Sequence, residues 1–74
     1  MKTKSILEFK KGDKGIISKL ESNNQRILKK LMSMGIIPGL ELVIIQTFPS
    51  YVLQVGYTQV AIDKEIAQVI IVDE

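Results

Sequence analysis

The chain has 74 residues, 46% of them hydrophobic, with no cysteine, no histidine and a net charge of +2 at neutral pH. This length allows one domain, residues 1–74, near the lower limit for folding without staples, and the missing cysteines exclude disulfides and thiolate metal sites. Without histidine the commonest general base and a common metal ligand are gone, and Ser–His or Cys–His nucleophilic chemistry is excluded.

The apolar residues are mostly aliphatic, with twelve Ile, seven Leu and six Val, and aromatics are only 5%. Abundant β-branched residues favour strands. No apolar run reaches the roughly 18–20 residues that cross a bilayer. The first apolar patch is too short for a secretory signal. A soluble, cytoplasmic protein is therefore expected. Charge is distributed unevenly: residues 1–37 hold nine basic and three acidic side chains, +6, and residues 38–74 hold Lys64 against five acids, −4. Such a split describes either a plain solvated surface or a basic docking face for an acidic partner, protein or nucleic acid.

In chain order, residues 1–4 are expected to be loosely ordered. Ile6, Leu7 and Phe9 form a weak apolar cluster that packs on the fold, with one short turn. Gly12 and Gly15 are expected to bracket a tight turn, with Ile16, Ile17 and Leu20 feeding a strand. The segment "SNNQRILKKLMSMG" predicts the one good helix. Asn23 or Asn24 can cap it, and Ile27, Leu28, Leu31 and Met34 make an apolar stripe. Arg26, Lys29, Lys30 and Ser33 fall on the opposite face. Gly35 stands where a left-handed C-terminal cap is expected. Pro38 and Gly39 match the two central positions of a type II turn. Strands follow at 40–48, 52–55, 59–62 and 68–72, joined by a short connection, a tight hairpin of two or three residues from Gly56 (Gly56–Tyr57 or Gly56–Thr58) and a one-turn excursion at 63–67. Five short strands at this spacing predict a mainly β protein, a small five- to six-stranded barrel with one α-helix packed against it.

The acidic residues are scattered, and Asp63 and Glu65, two apart in a turn, suit solvation or capping rather than acid–base work. Neither "GDKG" nor "GIIPG" matches a phosphate-binding loop. A protein-only metal site would have to be all oxygen, which suits hard ions. No enzyme activity, cofactor or selective metal site is expected. The surface candidates are Arg26, Lys29 and Lys30 on the polar helix face and Met32 flanking the apolar stripe. Tyr51 and Tyr57, at strand connections, are either contact anchors or covers for the barrel end. Basic residues and aromatics do not interleave along the chain, which weighs against a nucleic-acid-binding barrel.

The order and spacing of "GDKGIISKLE", "RILKKLMSMGIIPGLELVII" and "YVLQVGYTQVAIDKEIAQVIIV" resemble the FeoA family of small bacterial ferrous-iron transport accessory proteins. The resemblance covers about residues 5–72 and centres on Arg26, Leu28, Leu31, Met34-Gly35-Ile36 and Pro38-Gly39. Ala61 and Ala67 sit at small-residue positions of the C-terminal part. The connection within "TFPSYVLQV" is shorter than the family often has. The C-terminal SH3-like domain of iron-dependent repressors is similar. The resemblance implies an SH3-like barrel and a cytoplasmic accessory of FeoB, a membrane iron permease with a cytosolic GTP-hydrolysing domain. Docking on that domain, modulating its hydrolysis, with Arg26 as the one arginine available as a finger, and aiding assembly are the roles it implies. The alternatives are a small RNA- or DNA-binding barrel and a stand-alone regulatory domain.

Overall fold

A computed structural model describes residues 3–73. Its strands are β1 (Thr3–Ser5), β2 (Lys14–Leu20), β3 (Glu41–Gln46), β4 (Tyr51–Val55), β5 (Thr58–Ile62) and β6 (Ile70–Asp73). Its α-helices are α1 (Gln25–Ser33) and the single-turn α2 (Lys64–Ala67), and a 3-10 turn covers Ile6–Glu8. All strand pairs are antiparallel, in the order β1-β6-β2-β3-β4-β5.

Two bulges roll this sheet. Between Ile17 and Lys19 strand β2 carries one residue more than β6, and between Ile44 and Gln46 β3 carries one more than β4. An extra residue bends its strand and increases the local twist, which a small barrel needs. The inward residues alternate as the strands predict: Tyr51, Leu53 and Val55 of β4 are buried, with Val52 and Gln54 between them only half-buried. Leu42, Ile44, Ile70 and Val72 are completely buried beside them.

The chain's beginning departs from expectation. Thr3 pairs with Asp73, Lys4 with Val72 and Ser5 with Ile71, so Thr3 and Lys4 belong to a sixth strand, β1, rather than to a loose tether. Met1 and Lys2 lie outside the described residues. Ile6 is completely buried and Phe9 is 5% exposed, so the weak cluster is part of the core. Gly15 is also not a turn residue. It lies within β2, where a Cβ would sit 2.5 Å from Val72 Cγ1 and press on the Asp73 carbonyl oxygen. Its small size lets β2 approach β6. Gly12, with φ +92°, is the turn glycine.

Helix α1 begins at Asn24, whose Oδ1 accepts from the Arg26 amide at 2.9 Å. Leu31 is completely buried, and Ile27, Leu28 and Met34 pack half-buried on the core. The helix stops in a Schellman motif: the Gly35 amide donates to the Met32 carbonyl and the Ile36 amide to the Leu31 carbonyl, both at 3.0 Å. Gly35 takes φ +92°. The chain then turns at Pro38–Gly39, where Gly39 has φ +99° and the Leu40 amide donates to the Ile37 carbonyl at 3.2 Å, as in a type II turn. The Gly39 amide donates to the Ile17 carbonyl at 2.8 Å and ties the corner to β2.

Candidate interaction surface

The polar face of α1 is the first element of the surface. Arg26, Lys29 and Lys30 are all exposed. Their i, i+3, i+4 spacing places them side by side, and among the described residues none of the three makes an ion pair. Lys30 stands in the last turn, where a cation complements the negative helix end. Met32 is exposed on the flank of the apolar stripe, as expected.

The two tyrosines separate. Tyr57 is fully exposed at the tip of the β4–β5 hairpin. Gly56 has φ +61° and Tyr57 does not have positive φ, so the two-residue turn is of the II′ kind that matches strand twist. Tyr51 is not at a loop tip. It opens β4, pairs with Ile62 and is 8% exposed in the core, so its ring packs with the core instead of standing free as a contact anchor. A short apolar run between turn signals gave the strand, but not which end residue faces inward.

Gly35 joins these pieces. A Cβ at this position would lie 3.6 Å from Thr58 Oγ1, so the end of α1 rests against the start of β5, directly after the hairpin tip. Gly35, just past the end of α1, therefore lies one residue from the hairpin tip that carries Tyr57. Nothing in the linear spacing of residues 35 and 58 predicts this.

A second feature was not foreseen. Phe9, Phe48 and Tyr51 line one concavity of about 510 Å³ with Leu7, Pro49 and Lys64. Phe48 is 83% exposed at its rim, outside β3, although the sequence pattern placed it in the strand. Lys4 Nζ stands 5.0 Å from the centre of the Phe9 ring. Basic and aromatic residues that do not interleave in sequence thus meet in space. The signal could have been found only by pairing the N-terminal segment with the β3–β4 connection, a long-range contact.

Among the described residues the acidic side chains serve local structure and the open surface. Asp63 Oδ1 accepts from the Ile66 amide at 2.9 Å and caps α2, and Glu21 pairs with Lys19 at 2.9 Å on the open surface. Among the described residues no three carboxylates gather to hold a metal ion. No helix among them is long and apolar enough to cross a membrane.

A rolled six-stranded antiparallel sheet with one helix laid on it defines a small SH3-like barrel domain, and solved structures agree. The chain superposes with TM-score 0.86 on an iron uptake regulatory protein, FeoA, at 27% identity over 99% of this chain and 97% of that one. It also matches a zinc complex of Stenotrophomonas maltophilia FeoA, an SH3-domain protein for which a role as a ferrous iron transport activating factor has been suggested, with TM-score 0.81 and 21% identity over 93% and 88% of the two chains. IdeR of T. acidophilum shares the fold, with TM-score 0.88 and 24% identity over 97% of this chain but only 34% of its own. Comparison with curated proteins gave no significant match. The FeoA domain model matches residues 4–74, and the chain belongs to the FeoA family, small SH3-like proteins associated with ferrous iron transport.

Proposed function

We propose that this protein is a cytoplasmic accessory of ferrous iron uptake that docks on the cytosolic GTP-hydrolysing domain of a FeoB-like permease through the exposed face of α1. The observation that carries the reading is the exposed run Arg26, Lys29 and Lys30, without an ion pair among the described residues, with Met32 exposed beside it and the Tyr57 hairpin next to Gly35. Three exposed cations on one helix face steer an acidic surface toward it. An exposed methionine and an exposed tyrosine supply adaptable apolar contact at the centre. The family supports the iron-uptake context. Where docking speeds hydrolysis, Arg26, the chain's one arginine and exposed in the first turn of α1, is the residue available as a finger.

The test is co-expression of the tagged chain with the full-length permease of the same genome, followed by capture and measurement of GTP hydrolysis. Capture of the permease with a changed hydrolysis rate supports docking and modulation. Capture with an unchanged rate leaves docking and removes modulation, and no capture removes the reading.

A further inference from the structure

The sheet ends in β1 on one side and β5 on the other, and the two edges differ. β1 is three residues long and carries Lys4, and a short, charged strand discourages further pairing. β5 is five residues long, reads "TQVAI", and holds neither a charge nor a proline. Its register with β4 runs from Val55↔Thr58 to Tyr51↔Ile62 without a bulge. None of the usual devices therefore guards this edge. Alternation fixes which of its backbone groups stay open. Val55 and Thr58 flank the two-residue turn as a hydrogen-bonded pair, and Leu53 with Val60 and Tyr51 with Ile62 follow in the same phase. Gln59 and Ala61 thus aim their N–H and C=O groups away from β4. Among the described residues no backbone bond outside the β4–β5 ladder takes up these groups, and both side chains are exposed. Such an open row is a template for a further strand.

We propose that β5 pairs antiparallel with β5 of a second copy of this chain, around a two-fold axis at Val60. In that register Gln59 of each copy lies opposite Ala61 of the other, and every such pair exchanges both its N–H···O=C bonds. The strand is complementary to itself. None of its residues is charged, so no like charges meet. A long side chain at Gln59 faces a small one at Ala61. The half-buried Val60 side chains meet across the axis, at a pair without mutual hydrogen bonds, where opposed residues stand closest. A strongly charged segment would find no counter-ion on this strand, and β1 of another copy is shorter and offers Lys4 instead of an uncharged match. Gly35 rests against Thr58, which confines the shared ladder to Gln59, Val60 and Ala61. The interface is small, so the dimer is reversible. It uses none of Arg26, Lys29, Lys30 or Met32, so it stands or falls separately from docking on the permease.

The experiment is sedimentation equilibrium of the intact chain across about a hundredfold range of concentration, with amide hydrogen exchange on the same samples. The expected result is a monomer–dimer equilibrium, with exchange at the Gln59 and Ala61 amides slowing as dimer accumulates. Gln59→Lys combined with Ala61→Lys sets like charges directly opposite each other across the axis. It should weaken association about tenfold or more and leave thermal unfolding of the dilute monomer close to wild type, since both side chains are exposed. Gln59→Lys combined with Ala61→Glu sets opposite charges at the same pairs and should restore association. A monomer at every concentration, wild-type association by the double-lysine variant, or no recovery in the lysine–glutamate variant would overturn the proposal. So would a dimer whose Gln59 and Ala61 amides exchange as fast as in the monomer.

Discussion

The Ile36 amide donates to the Leu31 carbonyl at 3.0 Å, and both side chains are completely buried. Six residues thus end a helix, satisfy its last carbonyls and place two core side chains on either side of one glycine. The same six residues carry Met32 outward, and Gly35 seats them against Thr58.

Gly35→Val should destabilise the fold by about 1–3 kcal/mol, because a β-branched residue is strained at φ +92°. The nearest atom to an added Cβ is 3.6 Å away, so the cost is backbone strain and not collision. Gly35→Asn should lose less, since asparagine tolerates positive φ better. Thermal unfolding of the two variants checks this. Equal melting temperatures for Gly35→Val and wild type would contradict the cap.

Gly15→Ala should also destabilise, for a different reason. Its added methyl meets the Asp73 carbonyl oxygen and Val72 Cγ1, so β2 and β6 must separate. Faster hydrogen exchange is expected at the Ile16 and Asp73 amides, which the β2–β6 register sets opposite each other beside Gly15, together with a lower denaturant midpoint. Wild-type protection at both would show that the strands can yield without cost.

Leu31→Ala should cost about 2–5 kcal/mol as a cavity in a close-packed core. Its neighbour Met32 is 50% exposed, and Met32→Ala should change stability by no more than ~0.5 kcal/mol. Urea unfolding of the pair separates the inner from the outer side of α1.

Asn24→Ala should cost about 1 kcal/mol, because Asn24 Oδ1 holds the Arg26 amide. Asn23→Ala should be silent, since only Asn24 caps the helix. A reversed order of melting temperatures would move the helix start by one residue.

The helix, its cap, the glycine stop and the type II turn were legible because each rests on contacts within a few residues, as Asn24, Gly35 and Gly39 show. The strands were legible as short apolar runs between turn signals, apart from β1. That strand has no apolar pattern of its own and exists because β6 offers it an edge at Val72 and Asp73. Gly15 read as a turn residue because glycine clusters usually mark turns, whereas close approach of a distant strand decides its role. Within the candidate site, the exposure of Arg26, Lys29, Lys30 and Met32 followed from helical spacing. The burial of Tyr51, the approach of Gly35 to Thr58 beside the hairpin tip and the lining of one concavity by Phe9 and Phe48 depend on long-range packing that no local pattern encodes.

Lys29→Glu combined with Lys30→Glu should leave the fold intact, because both side chains are exposed and make no ion pair among the described residues. It should weaken docking on the permease about tenfold or more at low salt, by reversing the charge that meets the acidic partner.

The most direct measurement is a titration of the purified chain against the GTP-hydrolysing domain of its own FeoB-like permease, with and without nucleotide, at two salt concentrations. The account predicts saturable binding that persists at the higher salt, because the contact has an apolar centre at Met32 and Tyr57, and that falls in the double charge-reversal variant. No binding to the domain in either nucleotide state, or equal binding by the variant, would contradict docking through this face of α1.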